Sequence, residues 1–264
     1  MKTRPAEWFE DEEFWTAFAP IMFDEDRWAE VPAVVDGIER LAKLKPGAAV
    51  LDACCGPGRH SLELASRGYR VTGIDITRAY LDAARESAAA WGLESERDGP
   101  GCGRARFVRA DIRDFKADET FDLAINLYTS FGYFTDPGED LQALKRLRKA
   151  LGPGGELILE TTGKETAKRD FVAGESFERG GWEVRTEFSV IGAWEGLRNR
   201  WILSRGGERV DRSFALRLYS RSELEAALLA AGFARVRLFG GLDGAPYDKA
   251  AASLVAVAEI AKKG

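Results

Sequence analysis

The chain has 264 residues, of which 45% are hydrophobic and 31% charged, and its formal net charge is −5. These proportions are those of an ordinary globular protein that can bury a full core, and they argue against a disordered chain. The sequence has no apolar run of transmembrane length, and its acidic balance disfavours a nucleic acid partner, which normally binds a basic surface.

The N-terminal residues and the three cysteines also narrow the compartment and the kind of site that the sequence predicts. Residues 1–7 lead into acids and aromatic residues instead of an apolar segment, so no secretory signal is predicted and a cytoplasmic protein is expected. The three cysteines are Cys54, Cys55 and Cys102, and they include no second pair at metal-ligand spacing. We interpret them as small buried residues, in preference to a redox centre, and predict no metal site.

Residues 48–160 alternate β-forming runs with helical stretches, which is typical of a parallel sheet with crossover helices. Glycines punctuate the pattern, and a polar surface loop is predicted at 94–103. The predicted strands are 48–53, 69–74, 107–110, 121–127 and 156–160, and the predicted helices are 59–67, 78–91 and 140–151.

The pattern changes after residue 160. Alternating apolar and polar residues predict antiparallel strands at 182–190, 198–203 and 210–218, which we interpret as a small lid sheet. Ser222 and Glu225 then have the spacing of a helix capping pair, and two further strands follow at 234–239 and 253–260.

The predicted fold class is therefore α/β, a doubly wound and mostly parallel sheet with an antiparallel insertion. We divide the chain into an N-terminal helical cap (1–40), a core (41–163 and 221–264) and the insertion (164–220). The N-terminal segment interleaves aromatic residues with acids. Two interpretations of it stay open: a helix packed on the domain by its aromatic face, or a cap that closes over an active site.

Gly56 and Gly58 follow the first predicted strand and open a helix, where glycines let the backbone approach a ligand closely. A nicotinamide-binding loop would also carry glycine at position 61, which is Ser61 here. Asp52 is the more informative residue, because a carboxylate there would repel a pyrophosphate but suits an ammonium group. S-adenosylmethionine carries an ammonium and a sulfonium and has no phosphate.

Two more acids follow the next two predicted strands. Asp75 ends the second strand, where a carboxylate can accept hydrogen bonds from two ribose hydroxyls, and Ile76 would lie against the adenine. Asp111 follows the third strand and could accept from the adenine amino group. Three acids at the carboxyl ends of successive strands therefore predict a nucleoside site, although a loop-capping role is the alternative for each acid alone.

Five segments of the chain resemble, in order and spacing, the motifs of class I S-adenosylmethionine-dependent methyltransferases. They are VLDACCGPGRH at 50–60, GID at 73–75, ADI at 110–112, FDLAIN at 121–126 and LGPGG at 151–155. The resemblance covers roughly residues 45–160 and implies a seven-stranded sheet with the last strand antiparallel. The insertion is similar to that of small-molecule N-methyltransferases, including those acting on amino sugars.

The resemblance also implies where the cofactor lies. It places Asp52 and Gly56 at the methionine end, Asp75 at the ribose and Asp111 at the adenine. We assign further neighbours to the same site, namely Ala53, Cys54, Gly58, Ile76, Ile112 and Asn126. Glycine commonly occupies the family position held here by Ala53 or Cys54, which is a departure that leaves the turn glycines intact.

Candidates for the acceptor side are fewer. Tyr128 and Tyr133 follow the fourth predicted strand and line an acceptor pocket or pack in the core, and Asp243 lies in a loop that is a plain turn in the alternative interpretation. His60 is the only histidine and is a conceivable general base or a residue that shapes the loop. The stretch 126–134 lacks the prolines typical of enzymes that methylate exocyclic amines of DNA bases.

The sequence therefore predicts methyl transfer from S-adenosylmethionine to nitrogen or oxygen of a small molecule. Transfer to RNA or protein, or a cofactor-binding module without catalysis, are the alternatives. A nicotinamide dehydrogenase is disfavoured by Ser61 and Asp52. The acceptor and the oligomeric state do not follow from the sequence.

Overall fold

The computed structural model describes residues 7–94 and 103–261. Cys102, and all but the ends of the loop predicted at 94–103, lie outside the described residues. A short 3₁₀ turn, Trp8–Glu10, opens this part of the chain. The helices are α1 Glu12–Met22, α2 Glu25–Ala29, α3 Val31–Ala42, α4 Arg59–Ser66, α5 Arg78–Ala90, α6 Pro137–Ala150, α7 Lys164–Arg169 and α8 Arg221–Ala230.

Eleven strands form two sheets in the described part of the chain. They are β1 Ala49–Ala53, β2 Arg70–Asp75, β3 Arg104–Arg109, β4 Phe121–Asn126, β5 Leu151–Thr161, β6 Gly174–Arg179, β7 Trp182–Ile191, β8 Gly196–Arg205, β9 Glu208–Arg217, β10 Arg235–Phe239 and β11 Leu254–Glu259. The main sheet has seven strands in the order β10-β11-β5-β4-β1-β2-β3.

The main sheet is doubly wound and mostly parallel, and it confirms the predicted fold class. β1 pairs in parallel with β2 and β4, whereas β11 runs antiparallel to both β5 and β10. Every residue of β1 is buried, because helices cover both faces of the sheet. One face carries a core shared with α3, α4 and α5, and the other a core shared with α6 and α8.

The second sheet is antiparallel, with four strands in the order β6-β7-β8-β9. One of its faces meets α1, because Phe14 and Phe18 pack against Trp182, Val184 and Leu203 in a separate apolar cluster. The helix presents these residues at i and i+4 on one side, which is the spacing of a buried helical face. The N-terminal segment is thus fastened to the second sheet.

Two local predictions were wrong, and two elements were not predicted. The capping pair of α8 is Ser220 and Glu223, two residues earlier than predicted: Ser220 Oγ accepts from Glu223 N at 3.3 Å and Ser220 N donates to Glu223 Oε2 at 2.7 Å. The helix predicted from 140 starts at Pro137, because Asp136 caps it by accepting from Gly138 N. β6 and α7 were not predicted.

Candidate active site

A cavity of about 340 Å³ lies at the carboxyl ends of β1 to β4, within the size range of small-molecule sites. The core supplies one wall through the loops that follow these strands. The N-terminal segment supplies a second wall, including Phe9, Trp15 and Phe23, and the second sheet contributes Arg179 and Trp201. Residues far apart in sequence therefore enclose one space.

The glycine turn after β1 forms the floor of the cavity. Cys54, Gly56 and Gly58 all have positive φ, at 61°, 54° and 79°. Gly56 faces the cavity, and its N–H donates to Asp75 Oδ2 at 2.8 Å. Gly58 lies behind the turn, where a Cβ would come within 2.8 Å of the Phe107 ring. Burial raises the pKa of the Cys54 thiol far above its usual range, so this residue is a poor thiolate.

Asp52 is 2% exposed at the end of β1 and lines the cavity. Burial raises the pKa of its carboxyl to about 6, although the hydrogen bond from Ser61 favours the charged form. Ser61 Oγ donates to Asp52 Oδ2 at 2.6 Å. Ser61, which stands where a nicotinamide-binding loop would carry glycine, thus stabilises the charged carboxylate of Asp52.

Asp75 is held at the end of β2 by two backbone donors. Its Oδ2 accepts from Gly56 N and its Oδ1 from Thr77 N, each at 2.8 Å. Burial nevertheless raises the pKa of Asp75. Each carboxylate oxygen keeps a further acceptor position, so the group can receive two ligand hydroxyls. Ile76 lines the cavity beside it.

Asp111 and Ile112 also line the cavity, but the carboxylate of Asp111 is engaged by a neighbour. Both of its oxygens accept from Arg113 Nε, at 3.0 and 2.9 Å. Arg113 is 1% exposed and forms further ion pairs with Glu139 and Glu10. Through Glu10, this buried guanidinium connects the loop after β3 to the N-terminal segment.

Three acceptor-side candidates surround the cavity, namely Tyr128, Tyr133 and His60. The His60 ring stacks on Tyr128 with centroids 5.3 Å apart. Burial lowers the pKa of His60 to about 3, so this imidazole is neutral and weakly basic at neutral pH. Burial raises the pKa of both tyrosines, which also disfavours their ionised forms.

Four predicted site residues do not line the cavity. Ala53 and Gly58 shape the turn, and Asn126 supports it from below, since Asn126 Nδ2 donates to Ala53 O at 3.0 Å. Asp243 lies apart, in a turn beside α3, where its carbonyl accepts from Arg40 at 3.1 Å. That turn packs against α3, because a Cβ at Gly37 would come within 2.5 Å of the Leu242 carbonyl oxygen.

Several lining residues were not predicted. Phe23, Arg27, Tyr80, Arg179 and Trp201 come from elements whose position over the strand ends no local motif reveals. Arg59 is different, because it directly follows the glycine turn and its place in the sequence could have marked it.

Residues 7–94 and 103–261 contain neither a membrane-spanning helix nor a cluster of metal ligands. No helix there is both long and apolar enough to cross a membrane. No group of three or more His, Cys, Asp or Glu side chains in these ranges is arranged to hold a metal ion.

Comparison with known proteins agrees with this architecture. Residues 50–155 match the family model of a methyltransferase domain. The chain is 30% identical to the cypemycin N-terminal methyltransferase of a Streptomyces species, over 44% of this chain and 42% of that protein. It spans about two fifths of the length of the first curated relatives it matches.

Two longer similarities extend beyond that domain. The dTDP-3-amino-3,4,6-trideoxy-alpha-D-glucopyranose N,N-dimethyltransferase of Streptomyces venezuelae is 25% identical over 83% of this chain and 88% of that protein. An S-adenosylmethionine-dependent methyltransferase from Clostridium acetobutylicum superposes with a TM-score of 0.73 at 15% identity, covering 94% of this chain and 98% of that one. Residues 50–155 thus match a methyltransferase domain, as the sequence motifs led us to expect, and the chain has the fold of S-adenosylmethionine-dependent methyltransferases.

Proposed function

We propose that the protein transfers the methyl group of S-adenosylmethionine to nitrogen or oxygen of a small molecule. The observation that carries this proposal is the enclosed cavity at the strand ends, into which the core presents Asp52, Asp75 and Asp111 while two outside elements cover them. A matched methyltransferase domain and an amino-sugar N,N-dimethyltransferase among the relatives support it.

The residues of the site fit this cofactor. Asp52 would receive the ammonium group, since a buried carboxylate is stabilised by a cation that replaces lost solvation. Asp75 would receive the ribose hydroxyls, because its backbone donors already fix both oxygens. Ile76, Ile112 and the loop of Asp111 would surround the adenine. Ala53, Gly58 and Asn126 would act indirectly, by holding the turn in shape.

The cofactor supplies a methyl group on a sulfonium, whose transfer to a lone pair breaks the S–C bond and leaves S-adenosylhomocysteine. The protein contributes alignment and exclusion of water. Neutral His60 and the un-ionised tyrosines offer polar contacts to an acceptor without a strong base. An amine acceptor suits such a site, because it attacks as the neutral base and its product can lose a proton to solvent.

The cover over the cavity favours a small acceptor over a polymer. Aromatic residues of the N-terminal segment form one side, and Trp8 stacks on Phe214 of β9 at 4.7 Å between centroids. A folded RNA or protein would have to displace these contacts to bring a reactive atom inside. We therefore propose that residues 1–40 act as the cap and 164–220 as the lid of the site.

Calorimetric titration with S-adenosylhomocysteine, followed by turnover of methyl-labelled cofactor with a panel of amines and hydroxyl compounds, tests this function. Saturable binding and label transfer to a small molecule are the expected results. Binding without transfer to any small molecule, combined with label transfer to bulk RNA or protein, would overturn the proposed acceptor class. Absence of saturable binding would overturn the cofactor assignment.

A further inference from the structure

Arg59, the first residue of α4, is a charged side chain that the proposed chemistry has not used. It lines the cavity and is only 4% exposed. A guanidinium removed from water to this extent normally has a carboxylate partner, because burying an unpaired charge is costly. The surroundings of Arg59 are therefore informative.

The partners of Arg59 in the described part of the chain are uncharged. One Nη donates to the backbone carbonyl of Arg27. The guanidinium carbon lies 4.9 Å from the centre of the Tyr128 ring and 5.4 Å from that of Phe23. Within residues 7–94 and 103–261, no Asp or Glu oxygen comes within ion-pair distance of it. Burial lowers the pKa of Arg59 and the charge of Arg27 acts in the same direction, whereas Tyr128 and the more distant charge of Glu30 act against them.

Other cations near the cavity are already paired. Arg27 contacts Glu30 at 3.1 Å, and Arg179 contacts Asp24 at 3.2 Å. A buried polar atom without a hydrogen-bond partner in the described structure stands beside Arg59, namely His60 Nε2. Two neighbouring polar groups thus retain unused hydrogen-bonding capacity at the same side of the cavity.

The opposite charge is close but separate. Asp52, the residue proposed to hold an ammonium group, is near enough for Arg59 to lower its pKa, yet the two side chains form no ion pair. A buried acid and a buried base that face one cavity without meeting leave room for a ligand between them. Such a pair is complementary to a zwitterion whose cation meets the acid and whose anion meets the base.

We propose that Arg59 is the anion-binding half of this site and holds a carboxylate or similar acidic group of the bound ligand. This inference rests on the proposed function. The first candidate source is the α-carboxylate of the cofactor, which accompanies its ammonium group. The second is an acidic group of the methyl acceptor. His60 Nε2 and the first turn of α4 add hydrogen-bonding and dipolar support for an anion.

The test compares Arg59→Gln with Arg235→Gln, a control on β10 whose side chain is 68% exposed and outside the cavity. Calorimetry measures the affinity of each protein for S-adenosylhomocysteine and for its decarboxylated analogue, which keeps the amine. If the cofactor supplies the carboxylate, Arg59→Gln weakens S-adenosylhomocysteine binding about 10- to 100-fold and leaves the analogue unchanged.

If the acceptor supplies the acid, both nucleosides bind Arg59→Gln normally. Inorganic phosphate then binds the S-adenosylhomocysteine-loaded wild type, and this binding is lost in Arg59→Gln. Either outcome supports an anion site at Arg59. Should Arg59→Gln fail to fold, Arg59→Lys keeps the charge without the planar fork and is expected to show the same selective loss in weaker form.

Two results would overturn the inference. In one, Arg59→Gln binds both nucleosides as Arg235→Gln does and the loaded wild type does not bind phosphate. In the other, Arg59→Gln weakens both nucleosides equally, as a general distortion of the site would. A wild type that binds neither nucleoside contradicts the proposed function itself, so the two failures are distinguishable.

Discussion

At the scale of single residues, the cavity carries two buried carboxylates whose hydrogen-bond donors differ, Asp52 and Asp75. Asp75 is pinned by two backbone N–H groups, whereas Asp52 is buried with one hydroxyl donor. Backbone donors stabilise a charged carboxylate, and burial destabilises it. The two acids are therefore expected to respond differently to substitution and to pH.

Asp75→Ala should weaken binding of S-adenosylhomocysteine by about 1–3 kcal/mol, because it removes the acceptor for the ribose hydroxyls. Asp82→Ala is the matched control, since Asp82 lies on α5 close in sequence but outside the cavity. Calorimetric titration of both variants at neutral pH measures the difference. Equal affinities for the two variants would show that the ribose lies elsewhere.

The pKa of about 6 at Asp52 predicts a pH-dependent affinity. The charged carboxylate is the form that receives an ammonium group, so binding of S-adenosylhomocysteine should be about tenfold weaker at pH 5 than at pH 7.5. Asp52→Asn should bind weakly at both pH values and lose this dependence. A pH profile that is unchanged in Asp52→Asn would assign the titration to another group.

The same raised pKa affects the protein without ligand. The folded form holds a proton on Asp52 over a range in which the unfolded chain has released it. This group therefore makes the free energy of unfolding fall as the pH rises from about 4 to about 6. Ligand binding opposes that loss by favouring the charged form.

At the scale of elements, the glycine turn after β1 combines backbone strain with close packing. Gly58 and Gly47 have similar positive φ values, 79° and 74°, but only Gly58 is crowded. A Cβ at Gly58 would lie 2.8 Å from Phe107 and 3.0 Å from Ala84, whereas nothing lies within 4 Å of one at Gly47.

Substitutions at Gly47 and Gly58 separate the cost of the left-handed backbone conformation from the cost of crowding. Gly47→Ala should cost about 1 kcal/mol in the free energy of unfolding, from the left-handed conformation alone. Gly58→Ala should cost about 1–3 kcal/mol more, because the added methyl overpacks the interface with β3 and α5. Urea denaturation of both variants provides the comparison, and equal costs would mean that the neighbours of Gly58 yield without penalty.

The elements that sequence predicts best are those whose own residues determine them. β1 is a buried, mostly apolar run with an acid next to its last residue, and its turn needs glycine, so strand, turn and Asp52 follow from the local pattern. β6 has no such pattern: it is an edge strand whose residues are mostly exposed, and pairing with β7 alone defines it. Ser220 was missed because Ser222 has the same spacing to an acid.

The residues of the site also fall into those that local sequence predicts and those that only tertiary packing brings to the cavity. The acids that line the cavity could be found from the sequence because each lies at or just after the carboxyl end of a strand, and parallel strands end at one edge of a sheet. The sequence suggested a lid and a cap but not the residues with which they line the cavity, because Arg179 and Trp201 reach it only through the packing of the second sheet on α1. Asp243 follows a strand end too, but its loop turns toward α3.

At the scale of the whole molecule, the cover is joined to the core by specific contacts. Arg113 pairs with Glu10 at 3.0 Å, Ala79 N donates to Glu12 Oε1 at 2.8 Å, and the Tyr80 hydroxyl donates to the carbonyl of Trp15. Since Phe9 and Trp15 also line the cavity, a ligand inside would add contacts to the same segment.

Binding of S-adenosylhomocysteine should therefore slow amide hydrogen exchange in α1 and in β6 to β9, because ligand contacts disfavour local opening. α8 packs on the opposite side of the main sheet and serves as the internal control, with no change expected beyond global stabilisation. Exchange measured by mass spectrometry with and without ligand tests this, and protection confined to the loops after β1 and β2 would contradict a ligand-contacting cover.

The hydrogen bond between Tyr80 and Trp15 carries a kinetic consequence. It ties α1 to α5, the helix that follows the acid proposed to bind the ribose, and both Trp15 and Tyr80 line the cavity. We expect release of the cofactor product to require that this hydrogen bond and the surrounding aromatic contacts part. We therefore expect release of the product, and not methyl transfer itself, to limit the rate of repeated turnover.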